Sequence, residues 1–153
     1  MVKIDDKVWQ QAHVGTQETP LCLSQLKQKY VVLFFYPRAN TPGCTKESIA
    51  FGEHLAEFDG ADCAVYGVSS DSVKKQQNFK TKYNMPFELI ADVDEVLCHA
   101  FDVIKEKSMY GKKFMGIVRS TFILNQQGEV LAEWRKVKVD GHVEEVLQSV
   151  TNL

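Results

Sequence analysis

The chain has 153 residues, of which 44% are hydrophobic and 25% charged, and its formal net charge is −2. That length suits one domain with its own hydrophobic core. The weakly negative charge argues against binding to nucleic acid or to an anionic membrane. The longest apolar run, residues 31–36, is too short to cross a bilayer, and Asp5 and Asp6 lie where a secretory leader would be apolar. We therefore expect a single cytoplasmic domain over residues 1–153.

Strand-like and helix-like segments alternate along the chain. The run 31–36 is typical of a central strand buried on both faces, and Pro37 ends it. A turn-rich stretch over 38–43 leads into a helical pattern that ends near Gly60. The other predicted elements are strands over 61–68, 87–91, 119–124 and 129–134, and helices over 72–83, 95–101 and 142–150. This order predicts an α/β fold in which a mixed central sheet is flanked by helices on both faces.

The cysteines and histidines do not have the spacing of a metal site. The cysteines are Cys22, Cys44, Cys63 and Cys98, and the histidines are His13, His54, His99 and His142. There is no C-x-x-C pair, so we expect no metal and no cofactor, free thiols in a reducing cytosol, and histidines that are structural or exposed. Cys22 and Cys63 lie among apolar strand residues, where a cysteine is usually an inert buried thiol. We expect Cys98 to be inert too, although its position at the flank of an apolar helix face makes it the least constrained of these three.

Cys44 is the exception, because it follows the central strand at the predicted start of a helix. Ligands of open α/β sheets bind beyond the carboxyl ends of the strands. Thr41 is a favoured N-cap and Pro42 a favoured first helical residue, which places Cys44 third in the helix. The free N–H groups and the dipole of that turn favour an anion, and a thiolate is such an anion.

The helix end alone is too weak to produce a reactive thiolate. It supplies about 0.3–1 kcal/mol, whereas lowering a thiol pKa by about two units takes roughly 3 kcal/mol. A nearby arginine would supply the difference. Arg38 is adjacent in sequence, and Arg119, at the head of a predicted strand, could reach Cys44 in space. From the residues alone both arginines remain candidates.

The pattern Pro37-x-x-x-Thr41-x-x-Cys44 resembles the active-site motif of the peroxiredoxins. Its form here, Thr41-Pro42-Gly43-Cys44-Thr45, is similar to the bacterioferritin comigratory protein, or peroxiredoxin Q, group. The likeness covers most of the chain in order. The further matching blocks are 31–37, 67–69, 71–72, Asp92, 109–112, 116–117 and 119–122.

This resemblance implies a thioredoxin-like fold and the reduction of hydrogen peroxide or organic hydroperoxides, with a sulfenic acid formed at Cys44. Thr41 would hydrogen-bond the thiolate and the peroxide, and Pro37 would shield the pocket from water. Arg119 would polarise the O–O bond, and Glu47 would orient an arginine. The reductant would be thioredoxin or another thiol. We further expect a monomer or weak homodimer.

The chain departs from the family at the resolving cysteine. Many members of the group have it five residues after the peroxidatic cysteine, where this chain has Ile49, and others have it in the following helix, near Phe79-Lys80 here. We therefore predict a one-cysteine cycle in which an external thiol reacts with oxidised Cys44. Cys98 is a distant second possibility as an internal partner.

Three other classes of function can be compared with this interpretation. A cysteine phosphatase or arsenate reductase needs an arginine six residues after the cysteine, and that residue is Ala50. A thioredoxin-type disulfide reductase needs the second cysteine of C-x-x-C, which is missing. A non-catalytic thioredoxin-like binding module would require Cys44 to be inert towards peroxide.

Overall fold

A five-stranded mixed sheet forms the centre of the molecule in a computed structural model that describes residues 2–153. The strands are β1 (Ala12–His13), β2 (Leu21–Cys22), β3 (Tyr30–Phe35), β4 (Cys63–Ser69), β5 (Leu89–Ala91), β6 (Ile104–Met109), β7 (Lys112–Ile117), β8 (Ser120–Asn125) and β9 (Val130–Arg135). The helices are α1 (Asp6–Gln10), α2 (Pro42–Glu53), α3 (Leu55–Gly60), α4 (Val73–Lys82), α5 (Val96–Ala100) and α6 (His142–Thr151). A short 3-10 turn covers Leu23–Gln25.

The central sheet has the strand order β5-β4-β3-β8-β9. β3 pairs in parallel with β4 and antiparallel with β8, and β8 pairs antiparallel with β9. β1 and β2 form a small hairpin, and β6 and β7 form another outside the central sheet. The mixed sheet is thus built as the alternating sequence pattern predicts, with parallel crossovers first and the hairpin at the edge.

Two hydrophobic cores cover the two faces of the sheet. β3 contributes alternate residues to each of them, with Val31, Leu33 and Phe35 in one core and Val32 and Phe34 in the other, which Tyr36 joins directly after the strand. The first core, which contains Leu33, is covered by α1 and α5. The second is covered by α2, α3, α4 and α6. The predicted mixed sheet with helices on both faces is confirmed.

Several elements differ from the sequence prediction. The helix expected to extend to Gly60 is broken at His54, where the backbone leaves the helical region (ψ 7°). There Nδ1 of the His54 ring lies 2.9 Å from Oε1 of Glu57. Helix α1 and the hairpins β1–β2 and β6–β7 were not predicted. The chain of hairpin β6–β7 turns at Tyr110 and Gly111, both of which have positive φ (52° and 76°). Its strands are mostly exposed, so they lack the apolar alternation by which a strand is recognised in a sequence.

The position of Cys98 corrects an expectation. Cys98 is completely buried in the first core, while Cys44 belongs to the second core on the other face of the sheet. The Asp92 carboxylate accepts the backbone N–H groups of Leu97 and Cys98, which fixes the five-residue helix α5 against the sheet. Burial, together with Asp92, raises the pKa of the Cys98 thiol. Cys98 is therefore not the least constrained of the three other thiols; half-buried Cys22 is.

Two further observations concern residues 2–153 only. None of the helices there combines the length and the apolar character that a bilayer crossing requires. No group of three or more His, Cys, Asp or Glu side chains in that range is arranged to hold a metal ion.

Candidate active site

Cys44 is buried in the first turn of α2. Thr41 is the N-cap residue and Pro42 the first helical residue, so Cys44 is third in the helix, as the sequence predicts. The N–H of Thr45 donates to the Thr41 carbonyl at 2.9 Å, which closes the first turn. The side chain of Cys44 has no exposed surface. The thiol therefore lies in the positive field of a helix terminus and out of bulk water, where charge interactions are strongest.

Arg119 is the arginine that reaches this sulfur. Its Nη2 donates to Cys44 Sγ at 3.2 Å, and its Nη1 donates to Glu47 Oε1 at 2.8 Å. The sheet explains the meeting, because the first residue of β8, Ser120, lies opposite Phe35 at the end of β3. Arg119 thus stands beside the point where the chain leaves β3 for α2. One guanidinium therefore joins a thiol and a carboxylate that are both on α2.

Gly43 makes room for the guanidinium. A Cβ atom at this position would lie 3.1 Å from Arg119 Nη2. Since that is tighter than ordinary van der Waals contact, a side chain at residue 43 would require the guanidinium to shift by a few tenths of an ångström. Gly43 belongs to the sequence motif Thr41-Pro42-Gly43-Cys44-Thr45, but its residue type alone indicates no contact with an arginine. The contact becomes visible only once Arg119 is placed.

Glu47 is fully buried behind Arg119. Burial raises its pKa and Arg119 lowers it, with a net rise from 4.5 to about 7. Its second oxygen, Oε2, and the hydroxyl of Ser48 are buried without a hydrogen-bond partner among the described residues. Burial of the Arg119 side chain would lower the guanidinium pKa, but Glu47 and Cys44 raise it on balance. The carboxyl and guanidinium thus hold each other in a site with little water.

Glu47 should make stability depend on pH. Because its folded pKa of about 7 is above the ordinary 4.5, the folded chain holds this proton more tightly than the unfolded chain does. The contribution of this proton to the stability of the folded chain is complete below about pH 4.5 and is lost as the pH rises through about 7. We would measure the free energy of unfolding of the wild type and of Glu47→Gln in urea at pH 4.5 and at pH 8. Between these two pH values we expect the wild type to lose up to roughly 3 kcal/mol relative to the variant. A difference independent of pH would contradict this prediction.

Thr41 does not make the hydrogen bond that the resemblance implies. Its hydroxyl donates to the carbonyl of Arg38 at 3.0 Å. Because a hydroxyl has only one proton, this bond and a bond donated to Cys44 exclude each other. The side chain also makes no capping hydrogen bond to α2. Thr41 therefore caps the helix with its backbone, and its hydroxyl would have to rotate to donate to the sulfur.

The remaining candidates lie around this centre. Pro37 is half-buried and lies two residues after the end of β3. Arg38 is exposed and lines a separate cleft of about 310 Å³ together with Asp71, Lys75 and Lys82. Arg38 is thus not the arginine that contacts Cys44. The structure brings together three of the five candidate side chains, which are Cys44, Glu47 and Arg119.

This chain is similar to known proteins along most of its length. Residues 5–133 match the model of the AhpC/TSA family. The chain belongs to this family. Peroxiredoxin Bcp of Xanthomonas campestris pv. campestris is 51% identical over 136 residues, which cover 89% of this chain and 83% of the relative. Peroxiredoxin Bcp of Bacillus subtilis is 47% identical over 131 residues, 86% of this chain and 83% of the relative.

Solved structures agree with these relatives. Xanthomonas campestris peroxiredoxin Q superimposes with a TM-score of 0.93 at 43% identity, covering 99% of this chain and 96% of that one. Peroxidoxin BcpB of Mycobacterium tuberculosis gives 0.83 at 31% identity, covering 100% and 99%. The resemblance seen in the sequence is confirmed, and so is the thioredoxin-like peroxiredoxin fold. The chain is a peroxiredoxin, a thiol peroxidase among the oxidoreductases.

Proposed function

We propose that Cys44 is the nucleophile that reduces hydrogen peroxide and organic hydroperoxides. The observation that supports this most directly is the guanidinium of Arg119, which donates to the sulfur at 3.2 Å and to Glu47 at 2.8 Å. A fixed positive donor beside a thiol favours the thiolate. It also provides hydrogen bonds for the peroxide oxygens that develop charge as the O–O bond breaks. A Xanthomonas campestris relative has been studied for its alkyl peroxide reduction activity.

The reaction needs only these groups and two external thiols. The thiolate of Cys44 attacks one peroxide oxygen, the O–O bond breaks, and the leaving oxygen takes a proton to become water or alcohol. Cys44 becomes a sulfenic acid. A first external thiol condenses with it, releasing water and forming a mixed disulfide. A second thiol attacks that disulfide and regenerates the Cys44 thiol.

The placement of the other cysteines supports a one-cysteine cycle. Cys98 is buried in the core on the opposite face of the sheet. Cys63 is on the same face as Cys44 but at the start of β4, five residues from Val68, which pairs with the end of β3. That separation is about 17 Å along the strand, far beyond disulfide range. Burial also raises the pKa of the Cys63 thiol to about 12.

The half-buried Cys22 is at the end of β2. Its neighbours Leu21 and Leu23 pack with the first core, across the sheet from Cys44. Lys80, in the region where other members have the resolving cysteine, pairs with Glu88 at 3.0 Å and ties α4 down near β5. Thioredoxin or another external thiol is the reductant in this proposal. Such a cycle with free thiols belongs in a reducing compartment such as the cytoplasm.

The cycle can be tested by mapping thiols after one turnover. We expect one equivalent of hydrogen peroxide to leave a sulfenic acid on Cys44, trapped by dimedone and located by mass spectrometry. The Cys98→Ser variant should give the same product in the same yield, because Cys98 is on the other side of the sheet. A stoichiometric disulfide between Cys44 and Cys98 would overturn the one-cysteine cycle and leave the peroxidase function standing.

A further inference from the structure

The hairpin β6–β7 exposes a group of large apolar side chains at its turn and on its strands. Tyr110 is 97% exposed at the turn, and Met115 is 64% exposed on β7. Met109 and Phe114 are exposed as well. These four lie within seven residues, whereas the other exposed large apolar side chains are scattered along the chain. A concentration of this kind is typical of a surface that another molecule covers.

The same hairpin is strongly cationic. Residues 104–117 contain four lysines and one glutamate, a net charge of +3, in a chain whose formal net charge is −2. Two of the lysines form exposed ion pairs, at 2.9 Å and 3.6 Å, and pairs of this kind are weak. The charge of the whole chain, which argues against an anionic membrane, therefore conceals a local positive patch. An anionic surface is the partner that this patch attracts.

The apolar and cationic side chains lie on both faces of the hairpin. Phe114 and Met115 are consecutive residues of β7, so their side chains point to opposite faces. Lys112 and Lys113 are consecutive in the same strand and alternate in the same way. A flat protein surface would cover only one face of such a hairpin. The headgroup layer of a bilayer covers both faces and the turn, because a protruding hairpin can dip into it.

The base of the hairpin is fixed next to the candidate active site. The N–H of Val118 donates to the carbonyl of Val103 at 2.8 Å and closes the base. The next residue is Arg119, which donates to the sulfur of Cys44 at 3.2 Å. Beyond the base, nearly all side chains of residues 105–115 are exposed. The hairpin therefore has an anchored base and an outer part that points to solvent.

We propose that the hairpin β6–β7 binds the surface of a bilayer that contains anionic lipids, with Tyr110 among the headgroups and the lysines beside lipid phosphates. Tyrosine is enriched at membrane–water interfaces, and lysines are attracted to the negative surface of a bilayer. A second copy of this chain fits less well, because two hairpins of equal positive charge would face each other in a symmetric dimer.

Binding of this kind would bring the peroxidase to hydroperoxides of acyl chains, which form in bilayers. That consequence rests on the proposed function of Cys44, whereas the binding itself does not. The two can therefore be tested separately.

Vesicle binding by the full chain tests the proposal. The wild type is mixed with vesicles of equal parts phosphatidylglycerol and phosphatidylcholine, and the bound fraction is measured by flotation. We expect binding that is lost between about 0.1 M and 1 M salt, where the Debye length falls from about 10 Å to about 3 Å. Vesicles of phosphatidylcholine alone should bind much less of the protein, because they carry no net charge.

A double variant removes the apolar side chains and keeps the hairpin. In Tyr110→Asn with Phe114→Thr, asparagine suits the positive φ of the turn and threonine suits a strand. We expect the affinity for the anionic vesicles to fall by about tenfold or more, because less apolar area is buried. Consumption of hydrogen peroxide, which is soluble in water, should stay at the wild-type rate and shows that the fold is intact.

A pair of matched variants tests the position of the charge. Lys112→Gln with Lys113→Gln should weaken vesicle binding by about tenfold or more. Lys74→Gln with Lys75→Gln changes the net charge equally but removes exposed lysines of α4, so its affinity should stay within about twofold of the wild type. Equal losses in the two pairs would mean that the hairpin is not the binding surface and would overturn the proposal.

Two other outcomes would also overturn the proposal. One is that the wild type does not bind the anionic vesicles at low salt. The other is a dimer of the wild type, measured without vesicles by analytical ultracentrifugation, that Tyr110→Asn with Phe114→Thr converts to a monomer, since a second copy would then cover the hairpin. If the wild type failed to consume peroxide, the proposed function would fall, whereas the flotation experiment would still decide whether the hairpin binds lipid.

Discussion

Replacement of Cys44 by serine is expected to abolish the consumption of hydrogen peroxide. A serine hydroxyl stays protonated at neutral pH and is a hard, weak nucleophile, so it cannot replace a thiolate in attack on an O–O bond. The fold should persist, because serine is close to cysteine in size and its oxygen can accept the hydrogen bond from Arg119 Nη2 that Cys44 accepts now. Stopped-flow mixing with hydrogen peroxide measures the effect directly.

The matched control is Cys22→Ser, which changes a half-buried thiol on the other side of the sheet. We expect this variant to consume its first equivalent of peroxide at the wild-type rate. Circular dichroism of both variants separates loss of chemistry from loss of fold. Consumption by Cys44→Ser at the wild-type rate would show that another group carries the reaction and would end the assignment of Cys44.

The local part of the site could be predicted from the sequence because it follows rules of near neighbours. The run 31–36 is apolar throughout and becomes the central strand. Thr41 and Pro42 have the residue types of an N-cap and a first helical residue, and they fix the position of Cys44 in α2. Each of these inferences concerns residues that are close together in sequence, within one strand or at the start of one helix.

The choice between Arg38 and Arg119 as the arginine beside Cys44 could not be made from neighbouring residues in the sequence. Arg119 is 75 residues from Cys44 in sequence, and the two meet only because β8 pairs with β3 in one register. A shift of one residue would turn the side chains of β8 to the opposite face. Residue types alone do not specify that register, so proximity in sequence made Arg38 an equal candidate. The resemblance to the peroxiredoxins did indicate Arg119, because it matches the active-site arginine of that family, but residue spacing alone did not.

Cys98 and the hairpin β6–β7 show two other limits of prediction from the sequence. Helix geometry placed Cys98 at the flank of an apolar face, but in the five-residue helix bound through Asp92 both Leu97 and Cys98 are buried against the sheet. The hairpin β6–β7 has mostly exposed residues, and its turn is formed by Tyr110 and Gly111 in place of the usual Asn-Gly. In both places the packing of other segments decides the environment, and that packing is not encoded in the local pattern.

Replacement of Arg119 by methionine is expected to slow the reaction with hydrogen peroxide by at least tenfold. Methionine retains much of the length and the apolar stem but removes the charge and both hydrogen bonds, to Cys44 at 3.2 Å and to Glu47 at 2.8 Å. A preorganised donor of this kind contributes about 2–4 kcal/mol to a transition state. The pKa of Glu47, already raised by burial, should rise further without the guanidinium, so the carboxyl becomes neutral and the fold is retained.

The matched control is Arg38→Met, which removes the other arginine considered from the sequence. Arg38 is exposed and faces a separate cleft with Lys75 and Lys82, so its loss should change the second-order rate constant less than twofold or so. Rate constants for both variants, measured by stopped flow at several pH values, distinguish direct contact of an arginine with the Cys44 sulfur from the general effect of positive charge near the site. Equal losses in the two variants would mean that the field matters and the contact does not. A loss in Arg38→Met alone would reassign the role to the arginine that the structure places away from the sulfur.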